Sequence, residues 1–324
     1  MSDFPRKEDL TICFAHVAYR MAERFALRGT GIRHFQVDSA EGLASRIGDA
    51  DVVSVSMLWR NELIARAPKL RFIQSISAGT DQYSREALKN AGIRLASAQG
   101  VNARAVAEHA MALILALTRQ IHVARDNQAK RHWRGMISDL SRREDELGGK
   151  TLLIVGLGRI GAHLGGLARA FGMRVIATKR DPASAGASAD EVYPHGALPD
   201  VLPLADFVAL TCPLTPQTEG LVNGRTLALM KPSAFLVNVA RGKVVDEPAL
   251  IAALGEGRIA GAGLDCAVEE PLPETSPLWR MPNVLITPHT AGETRRYEDN
   301  VIDLLLENLD RLWRGDAELE NGIL

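Results

Sequence analysis

The sequence is poor in aromatic side chains, which make up 5% of its 324 residues, and it holds three cysteines. With so few rings, the core must be built mainly from Ala, Leu, Val and Ile. Cys13, Cys212 and Cys266 are odd in number, form no CxxC pair and have no ligand-like spacing to histidines. Neither a disulfide framework nor a structural zinc site is expected, no metal is assigned, and a reducing, cytoplasmic setting fits. The three read as small apolar residues in or near strands. Net charge is scarce too: 38 Lys and Arg against 39 Asp and Glu leave a formal charge of -1. Such a chain lacks a global field for a nucleic acid or an anionic membrane, and neither is expected as a partner. The longest unbroken apolar run, Ala110 to Leu117, is far short of a membrane span. The charged start MSDFPRKEDL lacks the apolar stretch of a secretory signal. What remains, 46% apolar and 24% charged residues, is the composition of a compact soluble protein. The length suggests two domains.

Short apolar runs alternate with amphipathic stretches along the chain. Runs beginning at Thr11, Ile32, Asp51, Leu70 and Ile93 read as buried parallel strands, with helices at Tyr19–Arg28 and Asn61–Ala67. The stretch Asn102 to Gln120 breaks this rhythm with a helix so apolar that it should be buried between domains or subunits. A polar surface excursion follows, from Arg125 to Glu146. A second series of strands begins at Thr151, Arg174, Asp206, Ala234, Gly261 and Asn283, with helices at Arg159–Phe171, Gly224–Met230 and Glu247–Glu256. A last amphipathic helix, about Glu293 to Arg314, is too little for a domain and is expected to return to the first lobe. The expected fold is α/β, two doubly wound domains. Residues 1–100 with 290–324 form a discontinuous lobe, and 101–289 form the second.

Gly156-Leu157-Gly158-Arg159-Ile160-Gly161 supplies GxGxxG, directly after an apolar strand and at the opening of a helix. That context is what dinucleotide binding requires: a tight turn, a close backbone approach to pyrophosphate, and helix N–H groups facing it. At the end of the next strand, an NAD site places a carboxylate on the ribose hydroxyls. Here Lys179 stands in that place, followed by Arg180 and Asp181. Two cations attract a 2′-phosphate, so NADP(H) is favoured. NAD(H) stays open, with a solvated turn and Asp181 on the ribose.

Three later segments follow buried strands: Asn238-Val239-Ala240-Arg241-Gly242, then Leu264-Asp265 with Glu269-Glu270-Pro271, and Pro288-His289-Thr290-Ala291-Gly292. Ligands bind at the C-terminal ends of strands in open parallel sheets, so these loops can converge on one cleft. Arginine can grip a carboxylate as a bidentate fork and polarise a neighbouring carbonyl. Histidine can donate the proton, and a glutamate on the imidazole would orient it and favour its protonated form. These are the parts of 2-keto acid reduction.

The order and spacing of ISAGTD at Ile76–Asp81, VAEHAMALILAL at Val106–Leu117, GKTLLIVGLGRIG at Gly149–Gly161, CPLTPQT at Cys212–Thr218, NVARG, LDCAVEEP at Leu264–Pro271 and PHTAG resemble the D-isomer-specific 2-hydroxyacid dehydrogenase family over nearly the whole chain. The resemblance implies a Rossmann NAD(P)-binding domain inserted into a flavodoxin-like substrate domain. It implies a catalytic set of Arg241, Glu270 and His289, with the backbone at Ala78 and Gly79 on the substrate carboxylate. Arg159 and Ile160 would meet the pyrophosphate and Asp265 the nicotinamide carboxamide, while Cys212, Val239, Ala240 and Gly292 complete the cofactor set. It also implies a homodimer joined through the cofactor domain.

There are departures from the family pattern. Cys266 and Ala267 stand where a β-branched residue and an aromatic are usual, and the acid after the second strand is absent. No further domain follows Leu324, which speaks against the long regulated phosphoglycerate dehydrogenases. Glu270 stands where formate dehydrogenases carry glutamine, which speaks against formate.

The expected reaction is hydride transfer between NAD(P)H and C2 of a small 2-keto or 2-hydroxy acid, of glyoxylate/hydroxypyruvate type. His289 protonates the carbonyl oxygen while Arg241 holds the carboxylate. Leu58 and Trp59, after the third strand, are expected to wall the substrate side-chain pocket. The alternatives are a phosphite- or formate-oxidising relative and a non-enzymatic dinucleotide-sensing corepressor-like scaffold.

Overall fold

Strands buried on both faces need apolar residues at consecutive positions, one set for each face. β1 (Thr11–Ala15) shows the division: Ile12 and Phe14 join one apolar cluster, Cys13 and Ala15 the other. A computed structural model describes residues 4–184 and 188–324, and its contacts fall into two units, Met1–Asn102 with Thr294–Leu324 and Ala103–Glu293.

In the first unit, β1 is joined by β2 (Arg33–Val37), β3 (Val52–Val55), β4 (Phe72–Ser75) and β5 (Arg94–Ala96) in a parallel sheet of order β2-β1-β3-β4-β5. That order is the flavodoxin-like doubly wound arrangement. Helices α1 (Met21–Ala26), α2 (Ala40–Arg46) and α3 (Arg85–Asn90) connect the strands, and the segment Asn61–Arg66 is a 3-10 helix. The expected early strands are present. The short α2 and α3 lie outside the expected helices, although each has a serine N-cap: Ser39 Oγ accepts from the Gly42 amide at 3.1 Å, and Ser84 Oγ from the Ala87 amide at 3.3 Å.

The last helix, Tyr297–Arg314, returns to this unit, burying Val301, Leu305 and Leu309 against Ile12, Phe14 and Phe72. Its fully buried Asn308 donates to Gln74 Oε1 at 2.9 Å and accepts from the Glu320 amide at 2.8 Å.

The second unit opens with α4 (Ala103–Thr118) and α5 (Ile121–Ala129). Its seven strands are β6 (Thr151–Val155), β7 (Arg174–Lys179), β8 (Glu191–Pro194), β9 (Phe207–Leu210), β10 (Phe235–Asn238), β11 (Gly261–Leu264) and β12 (Val284–Ile286). They form a parallel sheet of order β12-β11-β10-β9-β6-β7-β8, the Rossmann order extended by one strand. The order reverses between β6 and β9, and ligands bind at such a switch point. Helices α6 (Arg159–Ala170), α7 (Leu198–Val201), α8 (Gly224–Leu227) and α9 (Glu247–Gly255) wind between the strands.

Two expectations change here. The edge strand β8 had no apolar run to announce it, because its residues are half-buried or exposed. And α4 does not need another domain or subunit to cover it: Val106, Ala110, Leu113 and Leu117 pack with Leu152, Ile154 and Val237 of its own unit. The excursion after α5 instead displays Trp133 and Met136 at 97% and 99% exposure. Among the described residues, no helix is long and apolar enough to cross a membrane.

Candidate active site

The glycine turn between β6 and α6 is forced by close approach. Gly156 has φ +99°, and a Cβ there would fall 2.7 Å from the backbone of Cys212. The amides of Gly156 and Leu157 donate to Thr178 O, both at 3.1 Å, and Thr211 Oγ1 donates to Gly156 O at 2.8 Å. The turn is thereby fastened to the ends of β7 and β9, on either side of the switch point. A Cβ at Gly161 would lie 2.9 Å from Gly156 O, so the third glycine lets the helix start against the turn. Gly158 is different: it caps α6 without a side chain, and a Cβ there would meet nothing within 4 Å. The exposed Gly158 and Arg159, with half-buried Ile160, thus frame an open helix N-terminus that fits a dinucleotide pyrophosphate.

At the end of β7, Lys179 Nζ donates to Ser184 O at 2.7 Å, and Arg180 is exposed. The Asp181 carboxylate is turned back on its own turn, accepting from the Ala183 amide at 3.2 Å.

The turn after β10 is built by a side chain that the sequence did not single out. Asn238, 1% exposed, accepts the Ala240 amide at 3.0 Å and donates to Arg241 O at 3.1 Å. Val239 and Ala240 are buried, and the exposed Arg241 donates to Ala240 O at 2.7 Å. Gly242 then lies so close to the loop after β11 that a Cβ would come within 1.9 Å of Ala267 O. That approach sets the Arg241 turn against the loop carrying Glu270.

Glu270 Oε1 accepts from the Ala267 amide at 3.0 Å, and Glu270 Oε2 lies 2.7 Å from His289 Nδ1. A carboxylate accepts, so Nδ1 carries the hydrogen and Nε2 is the ring nitrogen left for another partner. The two side chains are 39% and 44% exposed, which leaves the imidazole accessible. His289 has φ +55°, a left-handed conformation that costs an ordinary residue on the order of 1–3 kcal/mol and persists only when its surroundings impose it. Those surroundings are built on Asp265, 2% exposed. Its carboxylate accepts from Thr287 Oγ1 at 2.6 Å and from the amides of Thr290 and Ala291, each at 3.0 Å. Asp265 therefore faces the turn around His289, and Gly292 follows that turn half-buried.

Burial pushes the Cys212 thiol up to about 11 and the Cys266 thiol to about 12, so both stay protonated near neutrality. Among the described residues, no three His, Cys, Asp or Glu side chains are grouped to hold a metal ion.

In the first unit, Ala78 and Gly79 are exposed in the turn after β4, which is held by hydroxyls. Ser77 Oγ donates to Gly79 O at 2.9 Å and lies 2.8 Å from Ser56 Oγ. Leu58 is half-buried beyond β3. Trp59 corrects an expectation: it is 1% exposed, packs at 5.7 Å from the Tyr83 ring and donates to Asn61 Oδ1 at 3.1 Å. A residue so enclosed is part of the core of its own unit rather than a pocket wall.

Comparison with known proteins agrees with this geometry. Residues 111–291 match the family model for the NAD-binding domain of D-isomer-specific 2-hydroxyacid dehydrogenases. The chain is 36% identical to a glyoxylate reductase of Pyrococcus furiosus, over 85% of this chain and 83% of that protein. It is 37% identical to glyoxylate/hydroxypyruvate reductase B of Yersinia enterocolitica, over 86% and 87% of the two chains. The crystal structure of a D-isomer-specific 2-hydroxyacid dehydrogenase family protein from Aeromonas salmonicida superposes with a TM-score of 0.83 at 29% identity, covering 98% of this chain and 99% of that one.

Proposed function

The chain belongs to the D-isomer-specific 2-hydroxyacid dehydrogenase family, and from that premise we propose that it reduces small 2-keto acids of the glyoxylate and hydroxypyruvate type, with NADPH as the preferred reductant. The observation that carries the reading is the 2.7 Å contact of His289 Nδ1 with Glu270, which fixes which imidazole nitrogen is left for the substrate. The second unit is the cofactor domain, with Gly156, Gly158, Arg159, Ile160 and Gly161 on the pyrophosphate and Cys212, Val239, Ala240, Asp265 and Gly292 around the rest. A nicotinamide dinucleotide bound there supplies the hydride for C2.

His289 Nε2–H protonates the carbonyl oxygen, and Glu270 holds the ring in the orientation that makes this transfer direct. Arg241 binds the carboxylate and stabilises charge developing on the carbonyl oxygen. In oxidation, His289 takes the proton back. The first unit is the substrate domain, its turn at Ala78 and Gly79 offering backbone to the carboxylate and Leu58 meeting the substituent on C2.

Support for NADPH comes from the end of β7, where Lys179 and Arg180 supply cations and the Asp181 carboxylate is engaged with its own turn. The test is a matrix of glyoxylate, hydroxypyruvate, pyruvate and phenylpyruvate against NADH and NADPH, read as kcat/KM. The expected preference for NADPH is about tenfold or more, the equivalent of roughly 1.4 kcal/mol, and it should fall when Lys179 and Arg180 are both replaced by alanine. A strong NADH preference with every substrate would sink the cofactor reading. Absence of turnover with all four acids would sink the substrate reading.

The partner protein is a second copy of this chain, joined through the cofactor domain. The exposed Trp133 and Met136 on the excursion after α5 support this reading. Light scattering on the purified protein tests it, a monomer being the outcome against it.

A further inference from the structure

His109 is a polar residue on an otherwise largely apolar helix, and its side chain is 24% exposed. Its Nε2 lies 2.8 Å from Thr287 Oγ1 and 3.4 Å from Asp265 Oδ1. Thr287 has one hydroxyl hydrogen, and it goes to the Asp265 carboxylate at 2.6 Å. Toward His109 the same oxygen can only accept, so Nε2 of His109 carries a hydrogen and donates it. The chain of contacts runs from α4 through the Thr287 hydroxyl to a buried carboxylate. The other bonds of that carboxylate are to the amides of Thr290 and Ala291, immediately after His289. The His289 amide itself donates to Thr287 O at 3.0 Å. Two residues distant in sequence, His109 and Asp265, thus fasten one short turn through Thr287, Thr290 and Ala291, and that turn holds His289 in a left-handed conformation.

We propose that His109 is a positioning residue for His289: it acts through Thr287 and Asp265 to hold the turn in which His289 can meet its substrate, without itself touching the reactants. The inference rests on the assignment of His289 as proton donor. Helix α4 is the rigid element and Thr287 the coupling point. Losing the His109 donor unties Thr287, and through it Asp265, from α4, and the turn then holds the imidazole less firmly while the dinucleotide turn at Gly156 is untouched. Small misplacements of a reacting group can cost up to roughly 100-fold in rate.

The experiment is a double-mutant cycle with glyoxylate, following kcat and both KM values. His109→Leu is expected to lower kcat by roughly 10- to 100-fold with the glyoxylate KM unchanged. His109→Gln, whose amide can still donate to Thr287, is expected to recover most of that loss. In a His289→Ala background, His109→Leu should cost nothing further. Equal losses in both backgrounds, or a raised cofactor KM with kcat retained, overturns the proposal. If His109→Leu does not fold, Thr287→Val serves in its place, and its kcat loss must likewise vanish in the His289→Ala background. Wild-type turnover by His289→Ala alone would instead overturn the assignment of His289, which separates the two failures.

Discussion

The two units are built to one plan, a parallel sheet wound on both faces, yet they fasten their strand ends differently. In the first unit, the turn after β4 is tied by the hydroxyls of Ser56, Ser75 and Ser77 and by Tyr297, whose OH donates to Ile76 O at 2.6 Å. In the second, the turns after β10 and β12 are tied by Asn238 and by the buried Asp265, each holding two or more partners. Neutral hydroxyls suit a turn proposed to offer its backbone to an anion. A buried carboxylate with three donors suits a turn that must hold a reactive imidazole in a conformation it would not adopt alone. The difference teaches where precision is concentrated: in the unit that holds His289, the proposed proton donor.

The largest expected effect follows directly. Replacing His289 by alanine removes the proposed acid; a positioned acid commonly contributes about 10²–10⁴-fold, and kcat should fall by that order. Steady-state kinetics with glyoxylate checks it, and an unchanged kcat would erase the distinction drawn between the units. Next comes Gly242→Ala. The new methyl would sit 1.9 Å from Ala267 O, against backbone rather than a flexible side chain. Overpacking of this kind costs typically about 1–3 kcal/mol, so thermal unfolding should occur at lower temperature. Because the displaced loop carries Glu270, kcat should fall as well. A variant with native stability and native kcat would show that the Arg241 turn is not held by this approach.

Much of this is legible in the sequence. The apolar runs that became strands are continuous because both sheet faces are buried, and GxGxxG between a strand and a helix has one physical reading. What escaped lacked a local signal. β8 is an edge strand with half-exposed residues, so neither an apolar run nor a clean alternation marks it. Trp59 stands at a strand end, where a wall residue and a core residue look alike; only its packing on Tyr83 decides. Asp265 could be seen as a buried acid after a strand, but its partners at Thr287, Thr290 and Ala291 come from another loop. His109 is further still, on a helix far upstream whose apolar pattern hid it. Long-range polar networks are assembled by the fold, and single-sequence periodicity does not record them.

A smaller effect should separate stability from catalysis in the first unit. Asn308→Ala would leave Gln74 Oε1 and the Glu320 amide without their buried partner. An unsatisfied buried group costs about 1–3 kcal/mol, which should appear in denaturant unfolding. The kcat should be retained, since the network lies on the terminal helix and β4 rather than on the turn holding His289. A fall in kcat matching that of Gly242→Ala would mean the two units do not divide their labour in this way.

The smallest effect concerns the thiols, and it compares the units' internal mobility. Burial pushes Cys13 and Cys266 up to about 12 and Cys212 up to about 11, against about 8.5 for a free cysteine. Folded chains therefore keep protons that unfolded chains release as pH rises above about 8.5, so these groups withdraw stability through that window toward 11–12 and contribute no such loss below it. Native protein at pH 8 should react slowly with a thiol reagent, and three equivalents should appear on denaturation. Among the slow native reactions, Cys212 should label first, because it lies beneath the glycine turn and needs only a loop opening. Cys13, inside β1 at 0% exposure, needs the first sheet itself to open. Mass spectrometry of partially labelled protein reads the order. If Cys13 labels first, the hydroxyl-tied unit is the looser of the two throughout its sheet, and the contrast between the units extends beyond their strand-end turns.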